Sequence, residues 1–288
     1  MLRARFKDAQ FFWDFDQKVP LTERVESLKA VTFHKELGSY HWKTEQNLAI
    51  AKALAEKAKA GGASFHEEAL LKAAELAKTD LTTELVKEFT ELQGVIGGLY
   101  ARKQKLGERA ALAIYEQYIP ASTEDDIPVS VEGQLLGLAD RIQTITAMFG
   151  IGQVPTGSKD PFALRRAANA IVKILAESEL PLTMGDVFEV SADIAVPEQV
   201  DTTAFLLERV EFYLKDVRGF TYDVVKAVAG WWSDIRDCVA RAQALTAVRG
   251  GEDFAAVSAA FKRIKNILRQ AEEKKFEIGA VDGTKLAP

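Results

Sequence analysis

The chain has little of several things, and each shortage excludes something. Among 288 residues there is a single cysteine, Cys238. That rules out a disulfide framework and a cysteine-bound zinc, and fits a reducing cytoplasmic setting. Three histidines, His34, His41 and His66, cap the imidazole ligands available to any metal. No apolar run is long enough to cross a bilayer, and the opening "MLRARFKDAQ" is too charged for a secretory signal, so no membrane partner is expected. Strand-like alternation is nearly missing. The one β-like stretch is "FEVSADI", Phe188 to Ile194.

What is present is helical periodicity in an ordinary soluble composition, 48% hydrophobic and 27% charged. Thr22 caps a predicted helix with Val25, Leu28 and Val31 on one side. A second runs from Tyr40 to Lys59 and stops at Gly61 and Gly62, and a third runs from near Phe65 to Lys78. "DLTTELVKEFTELQGVIGGLYA" reads as one helix with Leu81, Leu85, Phe89 and Leu92 on a face, and with Gly94, Gly97 and Gly98 allowing close backbone approach. "VEGQLLGLADRIQTITAMFG" is apolar on all sides and predicts a central helix. Further helices follow to about residue 275, and "FEIGAVDGTKLAP" has no period. The net charge of −5 argues against a chain coated in nucleic acid but leaves room for a local basic face.

"GQVPTGSKDPFALRRAANA" is one transposition from a phosphate-binding loop. Such a loop needs Gly-Lys-Ser/Thr after a buried strand, whereas here the order is Gly157, Ser158, Lys159 after a helical segment. Pro155 also removes an amide from the cradle. The stretch reads better as a helix start, with Asp160 as N-cap and Pro161 in the first position. Lys159, Arg165 and Arg166 then form either a solvated charge cluster or a phosphate platform assisted by the free amides of the helix start. Arg102, Lys103 and Lys105 in "ARKQKLGERA" pose the same choice, as do Lys262, Arg263, Lys265 and Arg269. Trp231 and Trp232 could stack on bases, but the apolar residues around them favour a core role for at least one.

Four stretches in order, "FWDFDQKVPLTERVESLKAVTFHKELGSYHWKTE", "AKTDLTTELVKEFTELQGVIGGLYA", "LADRIQTITAMFGIG" and "PTGSKDPFALRRAA", resemble the β subunit of bacterial glycyl-tRNA synthetase. The resemblance implies an all-α, HD-domain-like helical bundle with a C-terminal helical extension. It implies a lead-in from a preceding domain over residues 1–20, the HD-like core over 21–180, an extension packed on it over 181–252, and over 253–288 the start of an anticodon-binding region with a loose end. It implies a cytoplasmic α2β2 enzyme in which the α subunit uses glycine, ATP and magnesium while the β chain recognises tRNA-Gly, expected here through the acceptor arm. This part of the β chain then needs no cofactor of its own. Lys159, Arg165, Arg166, Arg102, Lys103 and Lys105 become expected phosphate contacts.

HD-type hydrolases hold metals with a first histidine, a His-Asp pair at a helix end and a late aspartate. In this sequence Asp80 matches the pair's aspartate and Asp140 the late one, but Thr79 replaces the histidine and His41 is in doubtful register. Two carboxylates and one imidazole suit a transition metal poorly and a hydrated magnesium weakly. No metal and no catalytic residue is therefore expected. The plain alternative has Asp80 capping a helix at Leu81 and Asp140 paired with Lys78 or Arg141. Two other functions stay open: a working metal-dependent phosphohydrolase, and a purely structural module.

Overall fold

The structure is a computed structural model describing residues 2–192, 194, 196–198 and 201–275. It is all-α apart from one short hairpin. The chain divides into two compact units, Met1–Val239 and Ala240–Pro288.

The first unit opens with α1 (Leu2–Asp16) and a single turn α2 (Leu21–Arg24), followed by a 3-10 turn over Glu26–Ala30. The helix expected from Thr22 to Val31 is thus cut short. Thr32–His34 instead pairs antiparallel with Gly38–Ser39, and Gly38 supplies the left-handed φ of +98° that the turn requires. Then come α3 (Tyr40–Ala60), α4 (Glu67–Leu76), a 3-10 turn over Thr79–Thr82, and the short α5 (Glu84–Glu88). The next helices are α6 (Val95–Lys103), α7 (Glu108–Glu116) and α8 (Val131–Phe149). They are followed by α9 (Leu164–Glu177), α10 (Met184–Ala192), α11 (Thr203–Phe212) with a π turn to Val217, and α12 (Tyr222–Val228). The last two helices are α13 (Ile235–Val248) and α14 (Glu252–Glu273).

Helix α8 is the axis of the first unit. From Glu132 to Phe149 every residue except Thr144 is buried, as an all-round apolar helix must be, and α3, α4, α7 and α9 pack around it. Its start is fixed by Ser130, whose hydroxyl accepts from the Gly133 amide at 3.0 Å and donates to the Glu116 carboxylate.

Two readings of local pattern are corrected. Phe188–Ile194 is not a strand: its residues up to Ala192 lie in α10. Thr183 and Asp186 form a reciprocal capping box, with Thr183 N to Asp186 Oδ2 at 2.8 Å and Asp186 N to Thr183 Oγ1 at 3.2 Å, and Met184, Val187 and Val190 are buried at helical spacing. Nor is 80–101 one helix. Phe89 leaves the helical region and Gly94 takes φ +82°, so the chain folds back in three short pieces.

Asp16 explains how α1 is held. Its buried carboxylate accepts from Glu84 N at 2.9 Å, Leu85 N at 3.0 Å and Tyr100 Oη at 3.1 Å, which caps α5 from a distant element. Arg24 donates to the Asp16 carbonyl at 2.9 Å and lies 3.6 Å from its carboxylate. In the second unit, α14 exposes Val257, Phe261, Ile264, Ile267 and Leu268. The aperiodic tail 276–288 lies outside the described residues.

Helices α6 and α7 approach closely because Gly98 has no side chain. A Cβ there would sit 2.8 Å from the Ala111 carbonyl oxygen and 2.9 Å from the Tyr115 Cα. Both obstacles are backbone and cannot rotate away. Gly98→Ala is expected to lower unfolding stability by about 1–3 kcal/mol in urea denaturation. Gly230→Ala, with nothing within 4 Å of the added Cβ, should be within about 0.5 kcal/mol of the parent.

Candidate functional site: a buried lysine–aspartate cluster beside a basic helix start

Asp140, in the middle of α8, is buried with a formal charge. Its Oδ1 lies 3.0 Å from Lys43 Nζ on α3 and 3.1 Å from Lys78 Nζ after α4, and accepts from Asn47 Nδ2 at 2.9 Å. The ammonium groups are satisfied on their other sides. Lys43 donates to Gln143 Oε1 at 2.6 Å and Thr144 Oγ1 at 2.7 Å. Lys78 donates to Gln117 Oε1 and Tyr118 Oη, both at 2.8 Å. Burial alone would push the Asp140 carboxyl up, but the two ammonium charges and the Asn47 amide outweigh it and hold the group far below the usual carboxylate range. Burial lowers both lysines, opposed by Asp140, and Lys43 falls to about 8.

The other predicted positions divide. Thr79 is fully buried, and its hydroxyl donates to the Leu76 carbonyl at 2.7 Å, so it presents no ligand. Asp80 does not cap a helix at Leu81. Its Oδ2 accepts from Gly94 N at 2.6 Å and Gly97 N at 3.2 Å, which caps α6. Its Oδ1 is buried without a hydrogen-bond partner. Burial pushes this carboxyl up to about 6, against the pull of the Gly94 amide and Lys78. His41 is not brought to Asp140. It faces Glu26 and Glu45 at 3.7 and 3.6 Å. His34 lies in the hairpin with its ring against Phe162, not on a helix surface. Arg141 points its guanidinium at the carbonyls of Gln117, Gly137, Tyr118 and Pro120, so Asp140 pairs with Lys78 and Lys43 instead.

These residues do not fit a divalent metal. Among the described residues no three His, Cys, Asp or Glu come together. The late aspartate already carries two ammonium groups, and the carboxylate at 80 is turned toward two backbone amides. Lys43 and Asn47 fall on the face of α3 that also buries Ile50 and Leu54. An amphipathic reading passes over them because a buried lysine has no sequence signature apart from its partner.

The segment after α8 contains no nucleotide cradle. Thr156 and Lys159 exchange backbone hydrogen bonds at 3.1 and 2.9 Å across a tight turn at Gly157 and Ser158. Asp160 is not the N-cap residue and Pro161 is not helical, because α9 begins at Leu164 after Ala163 in a left-handed conformation with φ +53°. The Asp160 carboxylate nonetheless accepts from Leu164 N at 2.8 Å and Arg165 N at 3.0 Å. The helix start therefore has those amides occupied, and any anion held there must rely on side chains. Lys159 and Arg166 are exposed and Arg165 half-buried, and none of the three side chains has a partner among the described residues. In the other basic segment Arg102 is bound to Glu108 at 2.8 Å, while Lys103 and Lys105 are exposed at the end of α6. Trp232 packs edge-on against Phe188, and Trp231 is largely exposed.

The fold and site define a helical module with a buried carboxylate held between two lysines and a basic helix start whose cations have no partner among the described residues. A sequence model described as glycyl-tRNA synthetase beta subunit matches residues 1–230, and the chain belongs to that family. It is similar to the glycine–tRNA ligase beta subunit of Acidobacterium capsulatum, at 61% identity over 280 residues, covering 95% of this chain and 40% of that protein. The same subunit from Halothermothrix orenii is 40% identical over 258 residues, covering 86% of this chain and 37% of the relative. The chain thus spans about two fifths of the length of these relatives. No described helix is long and apolar enough to cross a membrane.

Two outcomes follow from the cluster. Asp140→Asn leaves two buried ammonium groups without a counter-charge and should cost about 3–5 kcal/mol in urea denaturation at neutral pH. Lys78→Met leaves Asp140 paired with Lys43 and should cost less than half as much. Asp80 gives a pH signature. A carboxyl whose folded pKa lies above its unfolded one takes up a proton on folding between the two values, so its contribution to stability falls as pH rises from about 4 to about 6. Asp80→Asn keeps the acceptor for Gly94 and Gly97 and removes this titration. Its stability relative to the parent should improve by about 1 kcal/mol between pH 5 and pH 7.5, and an unchanged difference would disprove the raised pKa.

Proposed function

We propose that this chain is the tRNA-recognising part of a glycine–tRNA ligase β subunit. The whole enzyme would charge tRNA-Gly in the cytoplasm as an α2β2 assembly, with ATP, magnesium and the chemistry on the α subunit. The HD-like bundle serves as a rigid support, and the phosphate contacts lie on its basic edges. The observation that carries this reading is the crowding of Lys159, Arg165 and Arg166 into one short segment with no partner for any of them among the described residues. Unpaired cations fixed at a helix start serve a polyanion, since each phosphate neutralised releases a condensed counterion. Lys103 and Lys105 are free to add to the same field, whereas Arg102 would first have to leave Glu108. Asp140 and its lysines hold the support together. The residue boundaries belong to this proposal: near 20 with a preceding domain, near 180 between the core and the extension packed on it, and near 252 with the start of an anticodon-binding region.

Arg165→Ala and Arg166→Ala should each weaken binding of tRNA-Gly by about 1–2 kcal/mol, the scale of a charge-assisted hydrogen bond. Each should also flatten the dependence of log affinity on log salt by about one unit. Other tRNAs should lose affinity by a similar factor, because phosphates carry no sequence information. The melting temperature should hold, since neither side chain carries an ion pair in the fold. An unchanged salt slope in both variants would refute the assignment.

A further inference from the structure

Two clefts open on either side of Arg166. The first, of about 300 Å³, is bounded by Tyr118, Asp140, Arg141, Thr144 and Phe162. The second, of about 340 Å³, is bounded by Ser122, Thr123, Asn169 and Phe212. They share Arg166 together with Pro120 and Ala121, so Arg166 lines both. Each is of the size that holds a small organic group. Each also has one half-buried phenylalanine in its wall, Phe162 in the first and Phe212 in the second.

The polar groups make the arrangement specific. Asn169 sits in the wall of the second cleft with its amide oxygen buried and without a hydrogen-bond partner. A buried, unsatisfied acceptor costs free energy unless a ligand supplies the donor. Beneath the first cleft Asp140 is outnumbered by Lys43 and Lys78, and the Arg141 guanidinium adds a further positive charge. The floor is therefore positive despite its carboxylate. A positive divide with a planar apolar wall on each side and a hydrogen-bond acceptor at one end suits two bases joined by one phosphodiester.

We propose that the double cleft holds a single-stranded dinucleotide step of RNA, with the phosphodiester on Arg166, one base against Phe162 and the next against Phe212. Asn169 Oδ1 accepts from an N–H on the edge of the second base. This rests on the reading of the chain as an RNA-binding module and adds to it the recognition of unpaired bases.

The test uses two RNA hairpins with identical stems. One carries a two-nucleotide 3′ overhang, and the other carries the same overhang with abasic residues, so phosphate charge is equal. By fluorescence anisotropy the overhang with bases should bind the chain about tenfold more tightly. Phe212→Leu and Asn169→Ala should each remove most of that advantage while leaving affinity for the abasic hairpin and its salt slope unchanged. Arg166→Ala should weaken both hairpins. Circular dichroism melts establish that the variants are folded, and agreement of the two cleft variants guards against loss of one to misfolding. Equal affinity for both hairpins, with a normal salt slope, would overturn the base-binding inference and leave the phosphate reading intact. Failure of either hairpin to bind in a salt-dependent way would overturn both. AMP at millimolar concentration should leave the overhang hairpin bound, and displacement at micromolar AMP would assign the cleft to a free nucleotide instead.

Discussion

Asp140 places a negative charge inside α8, the helix buried along nearly its whole length at the centre of the first unit, and much of the bundle is arranged by the need to neutralise it. A lone ionised carboxylate in such a setting would shed its charge by taking a proton. Here α3 brings Lys43 and Asn47 to one side, and the end of α4 brings Lys78 to the other. The lysines in turn fix Gln117, Tyr118, Gln143 and Thr144 as acceptors. Arg141, one residue on, gathers the carbonyls of the 117–120 turn. The cluster therefore sets how α3, α4, α7 and α8 meet, and its Asp140 also lines the first of the two clefts beside Arg166.

Neutralising Asp140 with ammonium groups rather than a metal ion has a chemical consequence. A metal ion offers open coordination positions and lowers the pKa of bound water. An ammonium offers only hydrogen-bond donors, and here those donors are taken up internally. Burial still weakens the hold of each lysine on its proton, as Lys43 near 8 indicates, and the Asp140 charge opposes that loss.

The basic edge follows a different rule. Backbone donors that a polyanion could use at the start of α9 are taken by Asp160, and those at Thr156 and Lys159 pair with one another. The cationic side chains are left without partners among the described residues. An anion held in this segment would therefore have to be bound by the cationic side chains at a capped helix start, an arrangement that favours charge over shape.

Sequence by itself determined the all-α class, the central place of α8, the span of α3 and the rejection of a phosphate-binding loop. Each of these follows from local periodicity or from covalent chemistry, such as the missing donor of Pro155. It also singled out Asp80, Asp140 and the Lys159, Arg165 and Arg166 group by residue type and spacing. Tertiary structure decided what those residues do. Asp80 caps α6 because the chain breaks at Gly94 and folds back, and no helical period encodes a break made by a left-handed glycine against Tyr118. Asp16 caps α5 across 68 positions of chain, a contact without any local pattern. Lys43 and Lys78 look like ordinary solvated lysines until the fold seals them around one carboxylate. Burial of charge is a property of the surroundings in space, and residues 43, 78 and 140 become neighbours only when four helices close on one another.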